Sequence, residues 1–176
     1  MNKFHGNKAD FAPIKEDASR VIISYGKEDV DKGHATWYEI HFYKKQLGIL
    51  SLETVKQAII DDIDAKTKEK IQSGFTWHDK PVWLSENNQR NFADWLRVAE
   101  KTNSDTLLQD CKIGEDAEGK AVLHSFESIE ELSDFNNAFV AYIAQCLREG
   151  WQTKDAVDWD LYKTFFPAVE NNMNPE

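Results

Sequence analysis

Apolar and polar side chains alternate along two segments in the first quarter of the chain. The segment RVIISYG, at residues 20–26, is rich in the β-branched and aromatic residues that fit a pleated strand. In the later segment ATWYEIHFYKK, Tyr38, Ile40 and Phe42 share one face at a period of two, which is typical of a half-buried strand. A polar stretch separates the two segments. The pattern therefore predicts a β-hairpin over residues 20–43.

Two segments with helical spacing follow, and a second hairpin separates them. After Ser51, apolar residues recur at helical spacing until Gly74, and a glycine in the left-handed conformation commonly closes a helix. Residues 75–84 hold two short aromatic runs around the turn-forming sequence HDKP, which predicts a hairpin. A second helix is predicted to open at Ser85.

The third helical pattern is the most regular. Ser128 with Glu131 three residues later forms a capping box, which marks a helix start. A continuous apolar stripe follows, consisting of Leu132, Phe135, Phe139, Tyr142, Ile143, Cys146 and Leu147. We expect this stripe to face the core. Gly150 is predicted to end the helix, and Trp151 to fold back on its last turn.

Hairpins and helices alternate along the chain, and this order decides the fold class. Two further short strands are predicted at residues 106–113 and 121–126. Antiparallel hairpins between helices indicate an α+β fold, because a parallel sheet needs single strands alternating with helices. We predict a single compact domain of β-hairpins and three main helices at 19–159, an N-terminal arm at 1–18 and an aromatic C-terminal tail at 160–176, whose removal should leave the domain folded.

Charge and composition exclude several classes of protein. The 176 residues carry a formal charge of −10, which repels nucleic-acid backbones and anionic membrane surfaces. The 41% of hydrophobic residues is too much for a disordered acidic chain. The N-terminus has no apolar run suited to a signal peptide or an anchor, and Cys111 and Cys146 lack CxxC spacing, so we expect synthesis in a reducing cytoplasm and no disulfide scaffold.

Residues that could carry chemistry show no diagnostic spacing. The Asp61, Asp62 and Asp64 triplet fails the calcium-loop rule because Thr67 stands where a glycine is needed, so a solvated helix face explains it. A zinc site would have to be assembled entirely by the fold, because no HxH or HExxH spacing occurs among the five histidines His5, His34, His41, His78 and His124. Carboxylates such as Glu118 follow no spacing rule for hydrolysis. We therefore expect no enzyme activity, no catalytic residue, no metal and no cofactor.

Two stretches resemble a known family. The stretches KIQSGFTWHDKPVWLSENNQRNF and HSFESIEELSDFNNAFVAYIAQCLREGWQTKDAVDW are similar to small proteins of uncharacterised function that are encoded in phages and prophages of gut anaerobes, often near tail genes. The resemblance covers about residues 60–160. It rests on an SGF-W-PVWLS hairpin and an F-EL-DF…AYI-QCL-EGW helix, and relatives usually carry Asn-Gly where this chain has His78-Asp79. It implies a phage origin, and no catalytic residue of the family is known to transfer.

The resemblance and the apolar ends lead to the first functional hypothesis. A small core is expected to leave some bulky groups near the chain ends uncovered, and the candidates are Phe4, Phe11, Phe165 and Phe166. Such residues commonly anchor contacts between subunits. The hypothesis is a non-enzymatic virion or tail-region structural or assembly protein, which docks on other virion proteins or on copies of itself. It would be found in the bacterial host cytoplasm during assembly and then in the virion.

The alternative is a carbohydrate-recognising module for adhesion to a host-surface glycan. Tryptophans exposed on strands build sugar-stacking platforms, and Trp37, Trp77 and Trp83 are the candidates. Helix periodicity and capping instead place Trp95 and Trp151 toward the core. Packing in the core is the commoner role for tryptophan. Trp77 and Trp83 are the two tryptophans for which this role is least expected.

Overall fold

The computed structural model describes residues 3–45, 48–102 and 109–166. It confirms the α+β class, with antiparallel sheets throughout. The elements are, in chain order, β1 (Phe4–Asn7), a 3-10 turn (Lys8–Asp10), β2 (Ile14–Glu16), β3 (Arg20–Asp29), β4 (His34–Tyr43), α1 (Leu52–Ser73), β5 (Phe75–Trp77), β6 (Lys80–Val82), α2 (Glu86–Thr102), β7 (Cys111–Glu115), β8 (Ala121–His124), α3 (Ile129–Asp155) and α4 (Asp160–Lys163).

The chain packs as two compact units. Unit 1 comprises residues 1–63 and 152–176, and unit 2 comprises residues 64–151. Each unit has a hydrophobic core of its own, and α1 and α3 contribute residues to both units. This division differs from the predicted order of arm, domain and tail, because the described residues 3–18 and 160–166 belong to unit 1.

A four-stranded antiparallel sheet with the order β1-β4-β3-β2 forms unit 1. Its centre is the predicted hairpin of β3 and β4, in which Ile23 stands opposite Ile40 and Tyr25 opposite Tyr38. The buried residues of this unit are Ile14, Val21, Ile23, Tyr25, Val55, Ile59, Ile63, Val157 and Tyr162. The core therefore joins one face of the sheet to the start of α1 and to the segment around α4.

The predicted N-terminal arm is wrong for the described residues. Residues 4–7 pair with β4, and residues 14–16 pair with β3, so they form the two edges of the sheet. Ile14 is buried opposite Ile23. Strands of three and four residues are too short to show an alternating pattern, although short edge strands are a common way of limiting further pairing.

The predicted tail is also wrong at its beginning. Tyr162 in α4 is fully buried, and its hydroxyl donates a hydrogen bond of 2.6 Å to the carbonyl oxygen of Ser24. Burial raises the pKa of this phenol. Tyr162, with Phe166 packed nearby, therefore completes the core of unit 1, while residues 167–176 lie outside the described part of the chain.

Unit 2 surrounds Phe135 of α3 with aromatic rings. Five rings lie with their centroids 5.1–6.2 Å from that of Phe135, namely those of Phe75, Trp77, Phe92, Phe126 and Phe139. They come from the β5-β6 hairpin, from α2, from the residues after β8 and from α3 itself. The burial predicted for Phe135 and Phe139 is confirmed, whereas Tyr142 and Ile143 are only partly buried.

Two glycines of unit 2 allow close packing in place of the predicted helix closure. α1 does end before Gly74, but a Cβ on that residue would lie 2.2 Å from the Tyr142 hydroxyl oxygen, and its φ is not left-handed. α3 continues through Gly150, where a Cβ would lie 2.5 Å from Oγ1 of Thr67. Because the helix does not end there, Trp151 is exposed and the predicted core position for its ring is wrong.

The capping and hairpin predictions agree more closely with the structure. The Ser128 hydroxyl accepts a hydrogen bond from the backbone N–H of Glu131, which is one of the two hydrogen bonds of a capping box. The third hairpin consists of β7 and β8, which start and end within a few residues of the predicted strands, and residues 106–108 of that prediction lie outside the described residues. Among the described residues, no helix has both the length and the apolar character needed to cross a bilayer.

Candidate functional site

An apolar stripe lies exposed along α3 in unit 2. Val140 is 57% exposed, Trp151 is 64% exposed, and Leu147 between them is exposed as well. At about 100° per residue, positions i, i+7 and i+11 point within about 40° of one another. We call Val140, Leu147 and Trp151 the α3 stripe. Exposed apolar groups aligned on one face of a helix are a candidate interaction surface.

A groove of about 240 Å³ borders this stripe. Its apolar lining comes from Ile71, Leu84, Ile143 and Leu147, so the stripe residue Leu147 also forms part of the groove wall. The remaining lining residues are polar or charged, namely Asp64, Thr67, Lys68, Gln72, Glu86 and Gln89. The groove adds a concave apolar surface to the side of the stripe.

The four phenylalanines predicted to bind a partner have different environments in unit 1. Phe4 and Phe165 are exposed, as the docking hypothesis expects. Phe11 is partly buried with its ring edge against Trp37, at 5.9 Å between centroids, and Phe166 packs on the core of unit 1. Phe11 and Phe166 therefore make most of their contacts within their own unit.

The structure separates the three tryptophans proposed as a sugar platform. Trp37 is buried, and its indole N–H donates to Oε1 of Glu39 at 2.9 Å, so its predicted role as a stacking surface is wrong. Trp77 is partly buried with its ring edge on Phe135, and its buried indole nitrogen has no partner among the described residues. Trp83 alone of the three is well exposed, at 45%.

Trp83 borders a polar cavity of about 540 Å³ in unit 2. The other lining residues are Ser85, Asn87, Asn88, Lys112, Gly114, Glu115 and Asp116. Two acidic side chains are already engaged, since Lys112 pairs with Glu115 at 2.6 Å and Oδ1 of Asp116 accepts the backbone N–H of Lys120 at 2.8 Å. The cavity thus joins an aromatic ring to amide and hydroxyl groups.

The aspartate triplet of α1 is not the uniformly solvated face that its composition predicts. Asp62 is buried in unit 1 and accepts a hydrogen bond of 2.6 Å from the Tyr25 hydroxyl. Burial, followed by this hydrogen bond, raises the pKa of Tyr25. Asp61 does remain exposed and accepts from Gln57. Asp62 lies between the exposed residues Asp61 and Asp64 in the sequence, and it reaches the core because the helix turns its side chain toward the sheet.

Two histidines and a glutamate of unit 2 come together although they are far apart in the chain. His78 lies in the turn between β5 and β6, His124 ends β8, and Glu131 lies in the first turn of α3. Their ligand atoms all lie within 4.8 Å of one another. Nε2 of His124 is 2.9 Å from Oε1 of Glu131, and Nε2 of His78 is 3.4 Å from the same oxygen. We call these three residues the His-His-Glu cluster.

The backbone holds the cluster residues in place. His78 and Asp79 have φ values of 46° and 61°, so both central turn residues are left-handed, as in a type I′ turn. Glu131 is held in place because its Oε2 accepts the backbone N–H of Glu127, the residue before Ser128, at 2.6 Å. Burial acts to raise the pKa of the Glu131 carboxyl, but this hydrogen bond and the neighbouring His124 together outweigh it and lower that pKa.

Sequence reasoning missed this cluster. The capping box identified Glu131, and the turn sequence identified the neighbourhood of His78. The three residues come together only because the β5-β6 hairpin, the β7-β8 hairpin and the start of α3 pack against one another. Such packing produces no fixed spacing of the three residues in the sequence. No family model, curated protein or solved structure matches the chain.

Proposed function

We propose that the protein is a non-enzymatic docking protein of a phage particle or of its assembly, and that it binds another particle protein through the α3 stripe. The sequence resemblance supports the phage context. The observation that carries the docking role is the exposure of Val140, Leu147 and Trp151 along one line of a long helix. During assembly the protein would act in the bacterial host cytoplasm and would then be retained in the virion or its tail region.

Trp151 is the strongest anchor in this stripe. A tryptophan side chain buries about 150–250 Å² in an interface, and 64% of this residue is free to be covered. At about 25 cal/mol per Å², covering about 130 Å² contributes roughly 3 kcal/mol before side-chain ordering is subtracted. Removal of this ring should therefore weaken binding by about 10-fold to 100-fold.

The charge of the protein favours a different protein as the partner over a second copy. Two copies would each carry a net charge of −10, and such charges repel one another and keep a protein monomeric. A partner with a basic surface around an apolar contact would instead be attracted. The proposal therefore commits to a basic particle protein, whose binding should weaken as the salt concentration rises.

The test measures binding to an identified partner. Cross-linking in cells that produce particles, followed by mass spectrometry, identifies the particle protein joined to the chain near α3, and calorimetry then gives its affinity for purified protein. Trp151→Ala and Val140→Ser should weaken this binding, while Val30→Ser, at a residue of unit 1 that is also 57% exposed, should leave it unchanged.

Three results would contradict the docking proposal. The first is equal affinity for all three variants. The second is a cross-link pattern confined to copies of this chain. The third is tighter binding at high salt.

A second candidate function rests on Trp83 and its cavity. An exposed indole beside amide and hydroxyl groups in about 540 Å³ suits stacking and hydrogen bonding of a sugar, which supports the adhesion alternative. Because Trp37 is buried, this alternative now depends on Trp83. A glycan array probed with the wild type, with Trp83→Ala and with Trp151→Ala separates the two functions. If the wild type and Trp151→Ala bind a glycan and Trp83→Ala does not, the adhesion function is favoured. If no glycan on the array is bound, the adhesion function is excluded.

A further inference from the structure

We propose that His78, His124 and Glu131 bind one divalent transition-metal ion of the zinc class. This site is independent of the α3 stripe and of the docking function. Two imidazoles and one carboxylate form a ligand set that zinc uses when three protein ligands leave a fourth position open. Imidazole nitrogens select zinc, cobalt, nickel or copper over magnesium and calcium, which prefer oxygen ligands throughout.

The ligand atoms all lie within 4.8 Å of one another, and the two separations from Glu131 can be compared with zinc geometry. Bond lengths of about 2.0–2.2 Å from zinc to nitrogen and oxygen place two tetrahedral ligands roughly 3.4 Å apart. Nε2 of His78 and Oε1 of Glu131 are already separated by 3.4 Å. The 2.9 Å contact between His124 and Glu131 is a hydrogen bond, which must open by about half an ångström when a metal replaces the shared proton.

The ligands are oriented before any ion binds. Oε2 of Glu131 accepts a backbone N–H, which leaves Oε1 directed at both imidazoles. The left-handed turn presents His78, whose side chain is 61% exposed and therefore accessible from solvent. Histidine is among the residues, with asparagine, aspartate and glycine, that adopt this left-handed conformation most readily. The turn therefore holds an imidazole next to the other two ligands.

Lys80 opposes the metal and offers a sensitive test. Its Nζ lies 3.5 Å from Nδ1 of His124 and donates to the carbonyl oxygen of Leu123 at 2.9 Å. A metal on Nε2 of His124 moves the imidazole proton to Nδ1, which then can no longer accept from the ammonium. The lysine charge also repels the incoming cation. We therefore expect Lys80 to weaken metal binding, and its replacement by glutamine to strengthen it.

The experiment titrates tag-free full-length protein with zinc chloride and measures the heat of binding by calorimetry. The absorption spectrum of bound cobalt is a second readout, which reports the ligand geometry. The wild type should bind one zinc ion per chain with a dissociation constant of about 10 μM or tighter. His78→Asn suits the left-handed turn and Glu131→Gln retains the capping box, so both variants should stay folded while binding weakens at least about 10-fold. Lys80→Gln should bind more tightly.

The control replaces a histidine that also has a carboxylate neighbour but lies elsewhere. His41 of unit 1 is 3.1 Å from Glu39, so His41→Asn should leave zinc binding unchanged. The proposal is overturned if the wild type fails to bind zinc at 100 μM, an upper concentration of about tenfold the expected constant. It is also overturned if His78→Asn and Glu131→Gln bind as the wild type does, or if magnesium and calcium bind as tightly as zinc.

Discussion

Replacement of Phe135 by alanine tests the account of the unit 2 core. The residue is completely buried, and five aromatic rings surround it. Truncation of a buried phenylalanine to alanine lowers the free energy of unfolding by about 3–5 kcal/mol through the transfer and cavity terms. Edge-to-face and tilted ring pairs each add about 0.5–1.5 kcal/mol in isolation. The contribution of these ring pairs is partly included in the transfer term already. We therefore expect Phe135→Ala to lower the free energy of unfolding by about 5 kcal/mol, at the upper end of the range for such truncations.

The assay is urea unfolding of the full chain, monitored by far-UV circular dichroism and by hydrogen exchange of the amides of α2 and α3. Val140→Ala is the matched control, because it removes apolar atoms from an exposed position of the same helix, and it should change the free energy of unfolding by less than about 0.5 kcal/mol. A loss below about 1 kcal/mol for Phe135→Ala would refute the central position of this ring.

Two further predictions concern unit 1. Deletion of residues 160–176 removes the buried ring of Tyr162 and its hydrogen bond, so it should lower the melting temperature by several degrees, and a melting temperature equal to that of the full chain would contradict this role. Backbone N–H groups that donate to Asp17 and Asp31 lower the pKa of each carboxyl from 3.8 to about 2, so the stability that these hydrogen bonds contribute is present above pH 3.8 and is lost as the pH falls toward 2. In melts between pH 4 and pH 2, Asp17→Asn with Asp31→Asn should therefore lose less stability than the wild type, and parallel curves would refute this linkage.

The sequence predicted the regular elements with strong local signals. Ser85 and Ser128 accept backbone hydrogen bonds at the two helix starts where they were expected, and the hairpin of β3 and β4 follows from its alternating pattern. The edge strands left no such signal, because β1 and β2 are too short for alternation to be recognised. Only the folded sheet shows that β1 pairs with β4 and that β2 pairs with β3.

Gly150 shows how one residue type serves two purposes. A glycine after an apolar stripe is the usual sign of a helix end. Here it lies inside α3, where Thr67 of α1 leaves no room for a Cβ. Only the packing of the two helices distinguishes these roles. The consequence reaches the α3 stripe, because the continued helix leaves Trp151 exposed.

The His-His-Glu cluster shows the same limit for a site. Each residue has a local reason to be where it is, as a turn residue, a strand end or a capping glutamate. The three meet only in the folded unit, so no spacing rule in the chain identifies them. Sites assembled from separate elements need the tertiary structure, whereas capping and periodicity do not.

The most direct test of the docking proposal is the amount of the protein in purified phage particles, measured by quantitative mass spectrometry for cells that produce the wild type, Trp151→Ala or Val30→Ser. The account predicts that the wild type and Val30→Ser are incorporated equally and that Trp151→Ala, although equally abundant and folded in the cells, is depleted about 10-fold or more. Equal incorporation of Trp151→Ala, or absence of the wild type from particles together with unchanged assembly when its gene is removed, would contradict it.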